Sequence, residues 1–249
     1  MFKRRKIQNP WEGRITPFQV IGNVYFVGTH QASSHLIDTG AGLILIDTGY
    51  ADGLYLLVNS IHELGYHPQD IRYIVHTHWH VDHAEATKYL AGLSGAKTLI
   101  GHKDAQKVTE FFEPDILIRE GDTLTLGNTT ISFVETPGHT EGTISFFFDT
   151  QEDGKVYRVG MFGGAGANTL AYSRFDYEGC REDYRASVRR LQKKQVDVFI
   201  GNHVWNNDTE EKAKLKVLGG ENPFIDREIW HKFLTFCENR LDEAIKKDP

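Results

Sequence analysis

The chain has 249 residues, of which 40% are hydrophobic and 25% charged, and its formal net charge is −6. This composition is typical of a folded globular protein and excludes low-complexity disorder as the main state. The acidic balance disfavours nucleic acid as the main partner, because phosphate binding requires clustered Lys and Arg.

The N-terminal residues carry the basic run Lys3–Lys6, and we interpret residues 1–15 as a tail ahead of the folded domain. No apolar run reaches the roughly 18 residues of a membrane span, so no membrane partner is expected. The segment after the basic run also lacks the apolar stretch of a signal peptide. The expected location is therefore cytoplasmic, or periplasmic or secreted if a signal peptide has been removed.

Short strands and helices alternate through the first half of the chain. Gly and polar residues separate the apolar runs that we predict as strands, at 23–29, 34–38, 42–49, 71–77 and 96–101. Apolar residues recur at helical spacing in the segments predicted as helices, at 52–64, 83–93 and 103–112.

The second half begins with strands and ends with helices. We predict strands at 123–127, 129–138, 142–150, 155–164 and 196–203. We predict helices at 182–193, 209–218 and 225–246. The two halves have similar weight and no Pro- or Ser-rich linker divides them, which indicates a layered α/β arrangement in one domain, 1–249.

The two cysteines, Cys180 and Cys237, are too few and too far apart for a disulfide framework. A CxxC metal clip is absent as well. We expect two unpaired, mostly buried thiols that behave as small hydrophobic side chains.

The segment His76–His83, which reads HTHWHVDH, holds four histidines and one aspartate just after a buried strand. Side chains alternate along an extended segment, so His78 and His80 point the same way and can bind one ion. Where the chain turns into the helix, Asp82 and His83 can face a second point nearby. Imidazole nitrogen and carboxylate oxygen suit zinc, and sites without thiolates more often keep an open position for catalysis.

Two distant histidines could complete these ligand sets, because each also follows the end of an apolar strand. His139 lies in VETPGHTEGTISFFF, and His203 lies in VDVFIGNHVW. His76 falls deeper in its strand and is interpreted as a supporting or packing residue.

The remaining histidines lack this combination of features. Three of them could line the cleft without binding metal: His30, His35 and His102. The others are expected to be solvated or packing residues: His62, His67 and His231.

HTHWHVDH matches the HxHxDH signature, and with it the chain resembles the metallo-β-lactamase superfamily. LILIDTG is similar to the family's early strand ending in Asp-Thr-Gly, with Asp47 supporting the metal site, and ETPGHTEGTISF is similar to its loop with the third histidine. The resemblance covers nearly the whole chain. It implies a four-layer αββα sandwich with the metals at one edge of the two sheets.

The opening segment, 15–49, resembles the third subclass of metallo-β-lactamases. The resemblance implies two zinc ions per chain. The first would be held by His78, His80 and His139, and the second by Asp82, His83 and His203. It also implies a hydrolase, associated with antibiotic resistance, that opens the amide of a β-lactam ring with a metal-bound hydroxide. Asp82 would orient that hydroxide and take part in proton transfer.

The sequence departs from the family in the loop Gly163-Gly164-Ala165-Gly166. Many superfamily hydrolases have there an Asp that bridges the two metals, and its absence favours the β-lactamase-like subclass. That subclass normally has serines in this loop that anchor the substrate carboxylate, and these are absent too. GMFGGAGAN matches no phosphate-binding pattern, so we predict a close-packed turn beside the metals.

Loop residues near the ligands are candidate contacts for a small-molecule substrate: Trp79, Asn168, Tyr172, Arg174 and Trp205. Two alternatives remain open. The same chemistry could act on a lactone, thioester or phosphodiester, or the protein could be a metal-binding module with little hydrolytic activity. The oligomeric state stays undetermined by the sequence.

Overall fold

The computed structural model describes residues 8–171 and 174–248. Two mixed sheets form its centre. The first has seven strands in chain order: β1 (Phe18–Ile21), β2 (Val24–Phe26), β3 (His35–Asp38), β4 (Leu43–Ile46), β5 (Ile71–Val75), β6 (Lys97–Gly101) and β7 (Ile116–Ile118). Neighbours are antiparallel from β1 to β4 and parallel from β4 to β7. All four residues of β4 are buried, as expected for a strand covered on both faces.

The second sheet has five strands, with β12 at one edge and β8 at the other. In spatial order they are β12 (Val198–Phe199), β11 (Lys155–Met161), β10 (Ile144–Glu152), β9 (Thr129–Glu135) and β8 (Thr123–Leu126). Only the pairing of β11 with β12 is parallel. The short β12 therefore runs in the same direction as β11, and the two strands end on the same side of the sheet.

Helices cover the outer faces of both sheets. The helices of the described residues are α1 (Leu54–Glu63), α2 (Val81–Ala84), α3 (Thr87–Ser94), α4 (Ala105–Val108), α5 (Cys180–Leu191), α6 (Thr209–Val217) and α7 (Ile229–Lys247). None of the described helices is long and apolar enough to cross a membrane.

Three apolar layers hold the sandwich together. Phe26 and Ile46 of the first sheet pack against Phe146 of the second in the central layer. Leu57 and Ile61 of α1 belong to the layer outside the first sheet. The layer outside the second sheet joins α5 to α7 and includes the following residues: Tyr184, Val188, Leu191, Trp230 and Leu234. This order of layers confirms the predicted αββα sandwich.

Several predicted elements have different bounds in the structure. The helix predicted at 83–93 begins earlier and is divided into α2 and α3, and the helix predicted at 103–112 retains one regular turn, α4. The strand predicted at 196–203 is limited to β12, because the chain leaves the sheet before it reaches His203. The last helix begins at Ile229, because the Asp226 side chain accepts hydrogen bonds from the backbone N–H groups of Glu228 and Ile229.

Part of the predicted N-terminal tail is folded onto the domain. Pro10–Gly13 form one 3-10 turn, and Arg14 pairs with Thr29 through the backbone and with Glu63 through its side chain at 2.7 Å. The basic run Lys3–Lys6 lies outside the described residues.

Candidate metal centre

Four chain segments converge at one edge of the two sheets. His78 and His80 follow β5, and α2 carries Asp82 and His83. His139 lies in the connection between β9 and β10, and His203 follows β12. The six residues proposed from the sequence therefore meet at one edge, where they form two groups.

His78, His80 and His139 form the first cluster, whose candidate ligand atoms lie within 4.8 Å of one another. Their ring centroids are 4.6 to 4.7 Å apart. His78 and His139 are buried, while His80 is partly exposed. Three imidazoles this close together can bind one cation only when they are neutral.

Asp82, His83 and His203 form the second cluster. Asp82 Oδ2 lies 3.7 Å from His83 Nε2 and 3.8 Å from His203 Nε2. The His83 ring centroid is 4.3 Å from that of His78, so the two clusters are neighbours. Asp82 is the one carboxylate that the described residues contribute to either cluster.

Asp47, at the end of β4, is linked by hydrogen bonds to one histidine of each cluster. Its carboxylate accepts hydrogen bonds from His83 Nδ1 at 2.8 Å and from Thr77 Oγ1 at 2.7 Å. Thr77 Oγ1 in turn lies 2.9 Å from His78 Nδ1. Because the hydroxyl donates to Asp47, it accepts from His78. The carboxylate thus fixes which ring nitrogen is protonated in a histidine of each cluster.

The ring nitrogens of these histidines fit the requirements of a metal site. His139 Nδ1 donates to the Gly166 carbonyl at 2.8 Å, and His203 Nδ1 donates to the Gln31 carbonyl at 3.0 Å. A carbonyl only accepts, so the Nε2 atom of each ring carries its lone pair. The Nε2 atoms of His78 and His83 are buried without a hydrogen-bond partner. Such donor sets, three nitrogens and two nitrogens with one oxygen, suit a divalent metal such as zinc.

Burial keeps the first cluster neutral. Burial and the neighbouring histidines lower the pKa of His78 well below its usual value. Burial, with His139 next to it, lowers the pKa of His80 to about 3. Burial also lowers the pKa of His139 to about 4. In the second cluster burial opposes ionisation of Asp82, yet the adjacent histidines bring its pKa below the usual value.

The glycine-rich loop packs directly against the first cluster. An added Cβ at Gly164 would stand 2.7 Å from the Cβ of His139, and one at Gly166 would stand 3.0 Å from its Cε1. Side chains at these positions would push the ring out of place. The predicted close-packed turn is confirmed.

Asp104 is a buried residue that the sequence analysis missed. It accepts hydrogen bonds from the backbone N–H of Trp79 at 3.1 Å, the backbone N–H of Gly142 at 2.8 Å and the hydroxyl of Thr140 at 2.7 Å. Burial raises its pKa to about 6. Asp104 therefore joins the loop of His78 and His80 to the loop of His139. Its position shortly after β6 could have indicated a functional residue. A single Asp within a predicted helix, however, is not distinctive in the sequence.

A cleft of about 510 Å³ opens over both clusters. It is lined by four of the predicted substrate contacts: Trp79, Asn168, Arg174 and Trp205. Tyr172 lies outside the described residues. Tyr50 and Arg240 also line the cleft and were not predicted.

The other histidines have separate roles. His76 is buried and bonded to the Leu99 carbonyl at 2.9 Å and to Thr87 Oγ1 at 2.7 Å, in agreement with its interpretation as a supporting or packing residue. Three histidines do not reach the cleft and pair elsewhere. His35 bonds to the Gly201 carbonyl, while His30 and His102 pair with acidic side chains.

Comparisons with known proteins agree with this geometry. A family model described as the metallo-beta-lactamase superfamily matches residues 27–203. Among solved structures, BJP-1, a subclass B3 metallo-beta-lactamase of Bradyrhizobium japonicum, is similar over 96% of each chain, with a TM-score of 0.89 and 28% identity.

Curated relatives carry other names. An N-acyl homoserine lactonase from Bacillus sp is 26% identical over 74% of this chain and 83% of its own length. A hydroxyacylglutathione hydrolase from Hyphomonas neptunium is 32% identical, over 48% of this chain and 43% of its own length.

Proposed function

We propose that the substrate is a β-lactam ring and that the cofactors are two zinc ions, because the chain belongs to the metallo-beta-lactamase superfamily and is a metallo-hydrolase. The observation that carries this proposal is the pair of adjacent clusters, of which only one contains a carboxylate. The similarity to the metallo-beta-lactamase BJP-1, over 96% of each chain, supports the same proposal.

Each cluster would hold one zinc ion. His78, His80 and His139 would supply three neutral nitrogens to the first, while Asp82, His83 and His203 would supply the second. Bound zinc would supply an activated water and polarise the scissile carbonyl. Asp82 faces both the second cluster and the cleft, so its carboxylate can orient the attacking water and accept its proton.

Cleft residues would hold the rest of the substrate. Trp79 and Trp205 offer aromatic faces, Asn168 offers an amide, and Arg174 offers a positive charge. Trp79 is well fixed for this role, because its indole N–H donates to Asp176 at 3.2 Å. We propose these four residues as substrate contacts.

The alternative function is the same hydrolysis on a lactone or a thioester. The names of the curated relatives favour it, since one is a lactonase and another a hydroxyacylglutathione hydrolase. The loop Gly163–Gly166 counts against it, because it offers no carboxylate to lie between two metals. We therefore keep it as the second candidate.

A hydrolysis screen on the zinc-loaded protein tests the choice. Nitrocefin and imipenem represent the β-lactams, a homoserine lactone represents the lactones, and an acyl-glutathione represents the thioesters. The proposal expects turnover of the β-lactams with kcat/KM at least about 100-fold above that of the other two classes. Metal content measured on the same sample should be two zinc ions per chain.

Other outcomes have distinct meanings. Preferred turnover of the lactone or thioester would establish the alternative. Stoichiometric zinc without turnover of any class would indicate a metal-binding module and overturn both. His62→Ala, a change on α1 away from the clusters, serves as the matched control for histidine substitutions.

A further inference from the structure

Arg240 is a cleft residue without a role in the proposed chemistry. It lies on α7, in the outermost layer of the sandwich, yet it lines the cleft together with Asn168 and Arg174. Among the described residues that line the cleft, Arg174 and Arg240 are the two arginines, and both carry a permanent positive charge.

The position of Arg240 follows from the packing of α7 against the glycine-rich loop. Cys237, three residues earlier on the same helix, is buried with its sulfur 4.0 Å from the Ala165 carbonyl. Residues three apart share a helix face, so Arg240 follows Cys237 towards this loop. Gly166 and Ala167 of the loop line the same cleft and offer no side-chain donor. The Arg240 guanidinium therefore adds a charged donor beside two cleft residues that have none of their own.

Neighbouring acidic residues do not neutralise Arg240. Glu238 pairs with Arg185 and Arg189, and Asp242 pairs with Arg185 at 2.7 Å. No described carboxylate lies within ion-pair distance of Arg240, although its guanidinium stacks 5.7 Å from the ring of Phe236. The aromatic contact orients the group and leaves its hydrogen-bond donors available to a ligand.

We propose that Arg240 binds the carboxylate of an anionic substrate and sets the specificity of the cleft for acids over neutral esters. The inference rests on the proposed function, since β-lactam substrates carry a carboxylate beside the ring. A guanidinium can donate two parallel hydrogen bonds to a carboxylate, which gives both affinity and orientation. Arg174 supplies a second positive charge in the same cleft.

The test compares nitrocefin with its methyl ester, which is the same molecule without the negative charge. Arg240→Ala should raise KM for the acid about 10-fold while leaving kcat within about twofold, the loss expected for one charge-assisted contact. The ester should show the same KM with the wild type and the variant. Arg240→Lys, which keeps the charge but loses the planar fork, should lie between them for the acid.

Arg189→Ala is the matched control, because it removes an exposed arginine of the neighbouring helix α5 that does not line the cleft. Zinc content and circular dichroism are measured on every variant. Equal KM changes for Arg240→Ala and Arg189→Ala, or equal losses for acid and ester, would overturn the role of Arg240 while leaving the β-lactamase proposal intact. Failure of the wild type to hydrolyse either form would overturn the proposed function and this inference with it.

Discussion

The two clusters differ in charge and in the way their side chains are held. The first consists of three imidazoles, with His139 fixed by the backbone carbonyl of Gly166. The second contains the carboxylate of Asp82, and its His83 is fixed by a second carboxylate, Asp47. We infer that the first cluster depends on burial and close packing, whereas the second depends on charge.

The clusters are still not independent. Asp47 bonds directly to His83 and reaches His78 through the hydroxyl of Thr77. The Asp104 carboxylate, by contrast, accepts hydrogen bonds from the two loops that carry the first cluster. Substitutions at these positions can therefore separate the two clusters or show that they act together.

His78→Ala has the largest expected effect, because this buried ring contacts the rings of His80, His139 and His83. We expect kcat/KM for nitrocefin to fall at least about 10³-fold, with loss of zinc from the first cluster. Steady-state kinetics and metal analysis measure both quantities. A variant with two zinc ions and unchanged turnover would contradict the assigned ligand set.

Acid should destabilise the metal-free protein next most strongly. Burial lowers the pKa of both His35 and His139 to about 4, from the usual histidine value of 6.5. The folded state resists protonation while the unfolded chain does not. The contribution of these neutral, buried histidines to the free energy of unfolding is therefore fully present above pH 6.5. It is lost as the pH falls towards 4. The slope is at most about 1.4 kcal/mol per pH unit for each group.

Urea unfolding of the metal-free protein between pH 7.5 and pH 4 measures this loss. His35→Gln removes one of the buried histidines whose pKa is lowered, so the free energy of unfolding should depend less steeply on pH. A free energy of unfolding that does not change between pH 6.5 and pH 4.5 would contradict the prediction.

Asp47→Asn tests the charge dependence of the second cluster. Asparagine has nearly the same size and tolerates the positive φ of 57° at this position, so the backbone should remain in place. We expect zinc affinity to fall about 10- to 100-fold, the usual cost of losing a carboxylate that supports a ligand histidine. Competition with a chelator measures the affinity of each site. Asp38→Asn, which changes another strand-end aspartate, should leave both affinities unchanged.

Asp104→Ala should have the smallest effect and act on the first cluster. The backbone N–H groups of Trp79 and Gly142 would lose their acceptor, at a cost of about 1–3 kcal/mol in the free energy of unfolding. Chemical denaturation with zinc present measures the change. Asp115→Ala, at a largely exposed aspartate that bonds to Thr98, is the control and should cost less. Greater zinc loss from the second cluster than from the first would contradict the division of roles.

The sequence was sufficient to predict the fold and the residues that converge at the sheet edge. Buried strands such as β4 and β5 are continuous apolar runs, and HTHWHVDH follows one of them directly. Two short strands, β1 and β7, were missed. β7 reads Ile-Leu-Ile, without the alternation of apolar and polar residues that marks a half-buried strand. In the structure its first two residues are exposed.

Residues that act across the fold could not be predicted from local patterns. Asp104 and Arg240 lie in helical segments whose charged residues look like ordinary solvent-facing positions. Their significance depends on what α4 and α7 pack against, which is a property of the tertiary structure. The proposed ligands were more accessible to prediction, because each follows the end of a strand.

Asp47 also illustrates how backbone shape restricts variation. Its left-handed φ of 57° is adopted readily by glycine and, among other residues, mainly by asparagine and aspartate. Its carboxylate is needed by Thr77 and His83 at the same time. A library screened only for folding should admit all three residues here, whereas one screened for turnover should retain aspartate alone.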